Sequence, residues 1–138
     1  MTLIRQRFWF LRHGETDWNA QGLSQGNVDI PLNANGIAQA QAAAPMLVNR
    51  GIASIVASPL SRAHDTAKVA AELLGLPVHL DEGLRETSFG AQEGQPMVEW
   101  FIRWVEGTYT PPDAESFADL RARSVAAVNR ALGRPELV

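Results

Sequence analysis

Three short apolar runs, Phe8 to Leu11, Ala53 to Ala57 and Val78 to Leu80, are separated by segments whose apolar positions recur at helical spacing. Strands joined through helices pair in parallel, so this alternation predicts an α/β domain with a mostly parallel sheet flanked by helices. The first run reads as a buried strand. Asn33 can cap a helix that carries Ile37, Ala40, Ala44, Leu47 and Val48, with Pro45 kinking or shortening it and Gly51 stopping it. Ser58 followed by Pro59 supplies an N-cap with proline at the first helical position, and this helix should reach about Leu74 before Gly75. Pro96 to Val105 has a mixed apolar face, and Phe117 to Leu132 reads as a longer helix ended by Gly133.

A chain of 138 residues with 46% hydrophobic content can fill one core, so a single domain over residues 1–138 is expected. A formal charge of -3, a single lysine (Lys68) and scattered arginines argue against a nucleic-acid surface. The absence of cysteine rules out a disulfide framework and a thiolate metal site. Met1 to Arg7 lacks the apolar core of a signal peptide, and no apolar run approaches the roughly 20 residues of a membrane span. No membrane association and a cytoplasmic location are the default expectations.

Arg12-His13-Gly14 directly follows the first apolar run, at the strand-to-loop turn where open α/β sheets bind ligands. There a guanidinium can grip phosphate oxygens through its fixed fork while an imidazole nitrogen attacks phosphorus. An ordinary charged turn is the alternative for three residues taken alone. With Ser58 as cap, Arg62 falls within or just past the first turn of its helix, where free N–H groups and the helix dipole favour an anion. A solvated helix arginine is the alternative there. Because both arginines follow strands, they can converge on one phosphate. In that chemistry His13 becomes a phosphohistidine, and Arg12 and Arg62 offset charge on the equatorial oxygens. The scheme uses no metal and no cofactor, and the chain has no carboxylate cluster or histidine pair at ligand spacing.

The nonamer Leu11 to Asn19 resembles the signature of the histidine phosphatase superfamily, the phosphoglycerate-mutase-like proteins. Further segments match in that family's order. Gln25 to Leu32 resembles its second loop and Gly36 to Gln41 the start of its first helix. Ser58 to Ala63 with Thr66-Ala67 resembles its second phosphate-binding arginine motif. Leu84-Arg85-Glu86 with Phe89-Gly90 and Glu93-Gly94 resembles its acid-carrying loop, although Gln92 stands where a tryptophan is usual. Glu115-Ser116 with Arg121 and Arg123 resembles the start of its last long helix.

The resemblance implies a three-layer, phosphoglycerate-mutase-like fold and metal-independent hydrolysis of a small-molecule phosphate ester. It implies His13 as nucleophile, Arg12 and Arg62 as phosphate ligands, and Asn19, Gln25 and Gly26 as substrate-binding positions. Glu86 is the implied acid; a protonated carboxyl there can neutralise the leaving alkoxide, and burial near Phe89 would raise its pKa. Glu93 is its nearest rival. The family's second active-site histidine has no counterpart before Val138, so the domain is expected to be incomplete at its carboxyl-terminal strand, which Glu136-Leu137-Val138 would begin. Phe8 to Leu11 would then be left as an unpaired edge, favouring low stability or a homodimer.

A 2,3-bisphosphoglycerate-dependent phosphoglycerate mutase is the alternative activity, and an inactive binding module the alternative from another class. Between Gln95 and Tyr109 the only cation is Arg103, fewer than a mutase holding a phosphorylated acid should need, which favours a phosphatase. Trp100, Phe101, Trp104 and Tyr109 in that segment either wall the pocket or pack on the core. His64 and His79 are expected at the surface: His64 lies about 200° around the helix from Arg62, and His79 alternates with Val78 and Leu80.

Overall fold

The computed structural model describes residues 2–135. Its sheet has two strands, β1 (Ile55–Ala57) and β2 (Val78–Leu80), which pair in parallel with Ile55 opposite Val78 and Ala57 opposite Leu80. Helix α3 (Ser61–Leu74) makes the crossover between them and ends at Gly75 in the left-handed conformation. Two helices precede β1. The first, α1 (Asp17–Gln21), is a single capped turn. The second, α2 (Ala34–Ala43), is capped by the Asn33 side chain and tightens into a 3-10 turn at Ala44–Leu47, where Pro45 cannot continue the α-helical ladder. After β2 come α4 (Glu99–Val105) and α5 (Phe117–Leu132), the latter capped by Ser116.

Helix α3 buries Arg62, Thr66, Ala67, Ala70 and Ala71, positions that recur on one face. Helix α2 buries Gly36 and Ala40, and Ala44 just beyond it. The two helices pack together, with small side chains on both contact faces. A second apolar centre is aromatic. Phe89, Trp100 and Trp104 are buried together, with Phe101, Tyr109 and Phe117 packed against them. The Phe89 ring meets Trp104 edge-on at 4.9 Å between centroids, and Trp104 donates its indole N–H to the Glu115 carbonyl. The aromatics between Gln95 and Tyr109 therefore serve packing.

The structure corrects three expectations. Phe8 to Leu11 is neither buried nor a strand: Phe10 is 84% exposed, and the run pairs with neither β1 nor β2. Apolar side chains alone do not make a strand; a neighbouring backbone must complete the ladder, and none does so among the described residues. Secondly, α3 starts at Ser61 with Leu60 as N-cap, two residues later than Ser58-Pro59 suggested. The Ser58 hydroxyl accepts from the Leu60 amide in a local turn, and Asp29, from a distant loop, accepts from the Ser61 amide at 2.7 Å. Thirdly, His64 and His79 are half-buried rather than surface residues. The strand expected to begin at Glu136 lies outside the described residues.

Candidate active site

The Arg12-His13-Gly14 segment is held by its backbone. The Gly14 amide donates to the Thr66 hydroxyl of α3, which in turn donates to the Arg62 carbonyl. Behind it, Gly14 and Gly36 meet closely enough that a Cβ on Gly14 would lie 2.3 Å from the Gly36 carbonyl oxygen. The amino end of α2 thus presses directly on the loop that carries His13.

Within that loop His13 Nδ1 lies 2.6 Å from the Gly14 carbonyl oxygen. A carbonyl can only accept, so Nδ1 carries the proton and Nε2 keeps its lone pair. Partial burial is the main cause that lowers the His13 pKa, and the Arg62 and Arg12 cations add to it; the Gly14 hydrogen bond and the Glu86 carboxylate oppose them. The ring is thereby held neutral around physiological pH, the form in which an imidazole is a nucleophile.

Arg62 is buried, and two of its five N–H groups are committed: they donate to the carbonyls of Val28 at 2.6 Å and Gly26 at 2.7 Å. This pins the loop after α1 to the amino end of α3. Burial lowers the Arg62 pKa, while the carboxylates of Glu86, Asp29 and Glu93 counter it. Arg12 is exposed.

Because β1 and β2 are parallel, their carboxyl ends lie at one edge of the sheet, and the chain leaving them carries Arg62 and Glu86 respectively. Arg12 and His13 line a cavity of about 140 Å³ with Thr66 and the Ala40 face of α2. Glu86 lines a second cleft of about 180 Å³ with Asn27, Arg85, Ser88 and Arg123. Of the four expected active-site groups, Arg12 and His13 therefore share one cleft, Glu86 lines another, and the buried Arg62 lines neither, yet His13 and Arg62 both feel the charge of Glu86. Glu86 itself is exposed, against the expectation that it would be buried beside Phe89; that ring turns away into the aromatic centre. Glu93, its rival in the sequence, is occupied as a brace, accepting from the amides of Asn27 and Phe89.

The other candidates make bonds that serve the fold. Asn19 and Thr16 form a reciprocal capping box on α1, and Gln25 accepts from the buried Thr16 hydroxyl. The Gly26 carbonyl receives Arg62, and Gly26 has a φ of 54°, where a Cβ would also strike Glu93. Sequence reasoning gave no site role to Arg123 or Glu115, although their motif was visible. Arg123 forms a two-point ion pair with Glu115 and donates to the carbonyls of Gly83 and Arg85. Among the described residues no group of three His, Asp or Glu side chains is placed to hold a metal ion, and no helix is long and apolar enough to cross a membrane.

Residues 8–136 match the sequence model of the histidine phosphatase superfamily, branch 1. The chain belongs to that superfamily. It is 40% identical to an uncharacterized phosphatase of Bacillus subtilis over 88% of this chain and 63% of that protein. It is 38% identical to a protein of Yersinia enterocolitica named a probable phosphoglycerate mutase, over 92% of this chain and 63% of that protein. A mycobacterial glucosyl-3-phosphoglycerate phosphatase solved with VO3 superposes with a TM-score of 0.81 at 37% identity, covering 91% of this chain and 67% of that one. The α/β fold is accordingly that of the phosphoglycerate-mutase-like proteins. Like these relatives, a bifunctional protein of Mycobacterium tuberculosis is longer: at 44% identity the match covers 85% of this chain and 35% of that protein. The chain thus spans between about a third and two thirds of the relatives it matches.

Proposed function

We infer that this superfamily member hydrolyses phosphate monoesters through a phosphohistidine on His13. The observation that carries the reading is the His13 tautomer: its Nδ1 proton is committed to the Gly14 carbonyl, and burial with Arg12 and Arg62 keeps the ring neutral. Nε2 attacks phosphorus, the N–P bond forms as the ester P–O bond breaks, and Glu86 gives its proton to the departing oxygen. Glu86 then takes a proton from the water that attacks the phosphohistidine, and the N–P bond breaks to release phosphate and restore His13. Arg12 and the uncommitted N–H groups of Arg62 neutralise the equatorial oxygens, so the scheme requires no metal. Asn19, Gln25 and Gly26 serve the substrate through the loop they hold, Asn19 and Gln25 by fixing Thr16 and Gly26 by fixing Arg62.

Similarity to the Yersinia protein supports a mutase as the second reading. Against it, Arg103, the one cation between Gln95 and Tyr109, sits over the Tyr109 ring at 5.2 Å. An assay of 3-phosphoglycerate with 2,3-bisphosphoglycerate separates the two, since a phosphatase releases phosphate and a mutase makes 2-phosphoglycerate. For the mechanism, the full-length protein is mixed with 4-nitrophenyl phosphate and quenched in base, and its peptides are weighed. A phosphoryl adduct on the peptide containing His13, absent from His13→Ala along with turnover, is expected; turnover by His13→Ala at the parent rate overturns the reading.

A further inference from the structure

The carbonyls on either side of Leu84 point at one guanidinium. Arg123, on α5, donates from Nη1 to the Gly83 and Arg85 oxygens at 2.8 Å each. Its Nε and Nη2 take both oxygens of Glu115, at 2.9 and 2.6 Å. Four charge-assisted bonds from one planar group fix its orientation, and with it the backbone that leads into Glu86. The pair is partly buried, with side-chain exposures of 28% and 20%, so solvent competes only partly for these donors. The far side of the loop is held too, since the Glu115 amide donates to the Ser88 carbonyl at 2.8 Å. Residues 83–88 are therefore fastened by Glu115 and Arg123 on both flanks of Glu86, whose own carboxylate accepts only from the neighbouring Thr87 amide among the bonds described. Glu86 is exposed, so packing does not set its position; its backbone does.

We propose that Arg123, oriented by Glu115, is the positioning residue for Glu86, holding the loop so that the Glu86 carboxyl reaches the leaving oxygen. The proposal rests on the acid role given to Glu86 above. Arg123 donates to backbone and to Glu115 and acts on the reaction only through Glu86. Its loss should thus be felt by substrates that need a proton at the leaving group and spared by those that do not. A fixed scaffold that holds the wrong group fails by distance: a displacement near 1 Å costs about 100-fold.

The test compares kcat/KM of the full-length protein for glycerol phosphate, whose alkoxide must be protonated, and 4-nitrophenyl phosphate, whose phenolate leaves without help. The ratio of the two is measured in one sample, so it does not depend on how much of a variant is folded. Glu86→Gln should lower that ratio by about 100-fold or more, the range of general acid catalysis. Arg123→Lys keeps the charge but loses the fork, and should lower the ratio by about 10-fold or more, with no further fall when combined with Glu86→Gln. Arg123→Lys that slows both esters equally, or a ratio in the double variant that is the product of the single effects, overturns the positioning role alone. A Glu86→Gln protein with the parent ratio overturns the acid role and the positioning role with it.

Discussion

At His13 a single backbone contact fixes which ring nitrogen keeps its lone pair, and burial with three charged neighbours sets its protonation. Burial, Arg62 and Arg12 all disfavour the imidazolium, so the acidic limb of kcat/KM should fall below about pH 6.5, the ordinary histidine value. Arg12→Gln removes one of the depressing charges and should move that limb upward, measured as a pH–rate profile; a limb that stays put or moves down counts against Arg12 facing the ring. Glu115 titrates in the opposite sense for stability. Its pKa is held down by the hydrogen bonds and charge of Arg123, so the folded state gains above the ordinary glutamate range. That gain disappears as pH falls from about 4.3 towards the lowered value. Urea midpoints followed against pH should drop less steeply in Glu115→Gln than in the parent. The residue types at both places were legible in the sequence. What was not legible is that the Gly14 carbonyl fixes the tautomer, because a side chain's partner one residue away depends on the backbone torsions of the loop.

Two contacts between elements set the site's geometry. The amino end of α2 rests on the Arg12-His13-Gly14 loop through the Gly14 and Gly36 backbones, and a Cβ on Gly36 would come 2.1 Å from the Glu15 carbonyl oxygen. Gly36→Ala must therefore push α2 and the loop apart. It should destabilise the domain by about 1–3 kcal/mol, as overpacking does, and lower kcat more than its folded fraction accounts for; chemical denaturation with an activity assay checks both. On the other side, Phe89 ties the loop that carries Glu86 to α4 through Trp100 and Trp104. Trp104, 3% exposed, is the most buried of the three. Trp104→Ala should cost about 3–5 kcal/mol, read from denaturant midpoints. The aromatic segment was visible as a pattern, but whether it lined a pocket or packed inward depended on Phe89, which lies outside it in sequence. The start of α3 shows the same limit. Ser58-Pro59 carries every local signal of a helix start, yet Asp29 supplies the cap two residues beyond it, through a fold-dependent contact.

Across the whole molecule, β1 and β2 are parallel and deliver the chain segments that carry Arg62 and Glu86 to one edge of the sheet. The apolar run Phe8 to Leu11 lies outside that arrangement. Phe8, Trp9, Phe10 and Leu11 are between 40% and 84% exposed, together with Leu3 and Ile4 nearby in sequence. Apolar side chains left in water favour burial against another apolar surface. The 138-residue chain taken by itself should self-associate, with a mass by light scattering that rises with concentration, and Phe10→Lys should reduce this without altering the His13 loop. A concentration-independent monomer would show that the exposed run is not adhesive.

The sequence by itself determined the class of fold, the cap at Asn33, the stops at Gly75 and Gly133, and the family, because periodicity, capping chemistry and motif order are local properties of the chain. Tertiary structure decided the rest. Among the described residues it left Phe8 to Leu11 without a strand partner, placed Glu86 in the open, gave Glu93 to bracing and brought Arg123 to the loop that carries Glu86. Each of these depends on a backbone group or side chain remote in sequence, and no local pattern specifies where such a partner will lie.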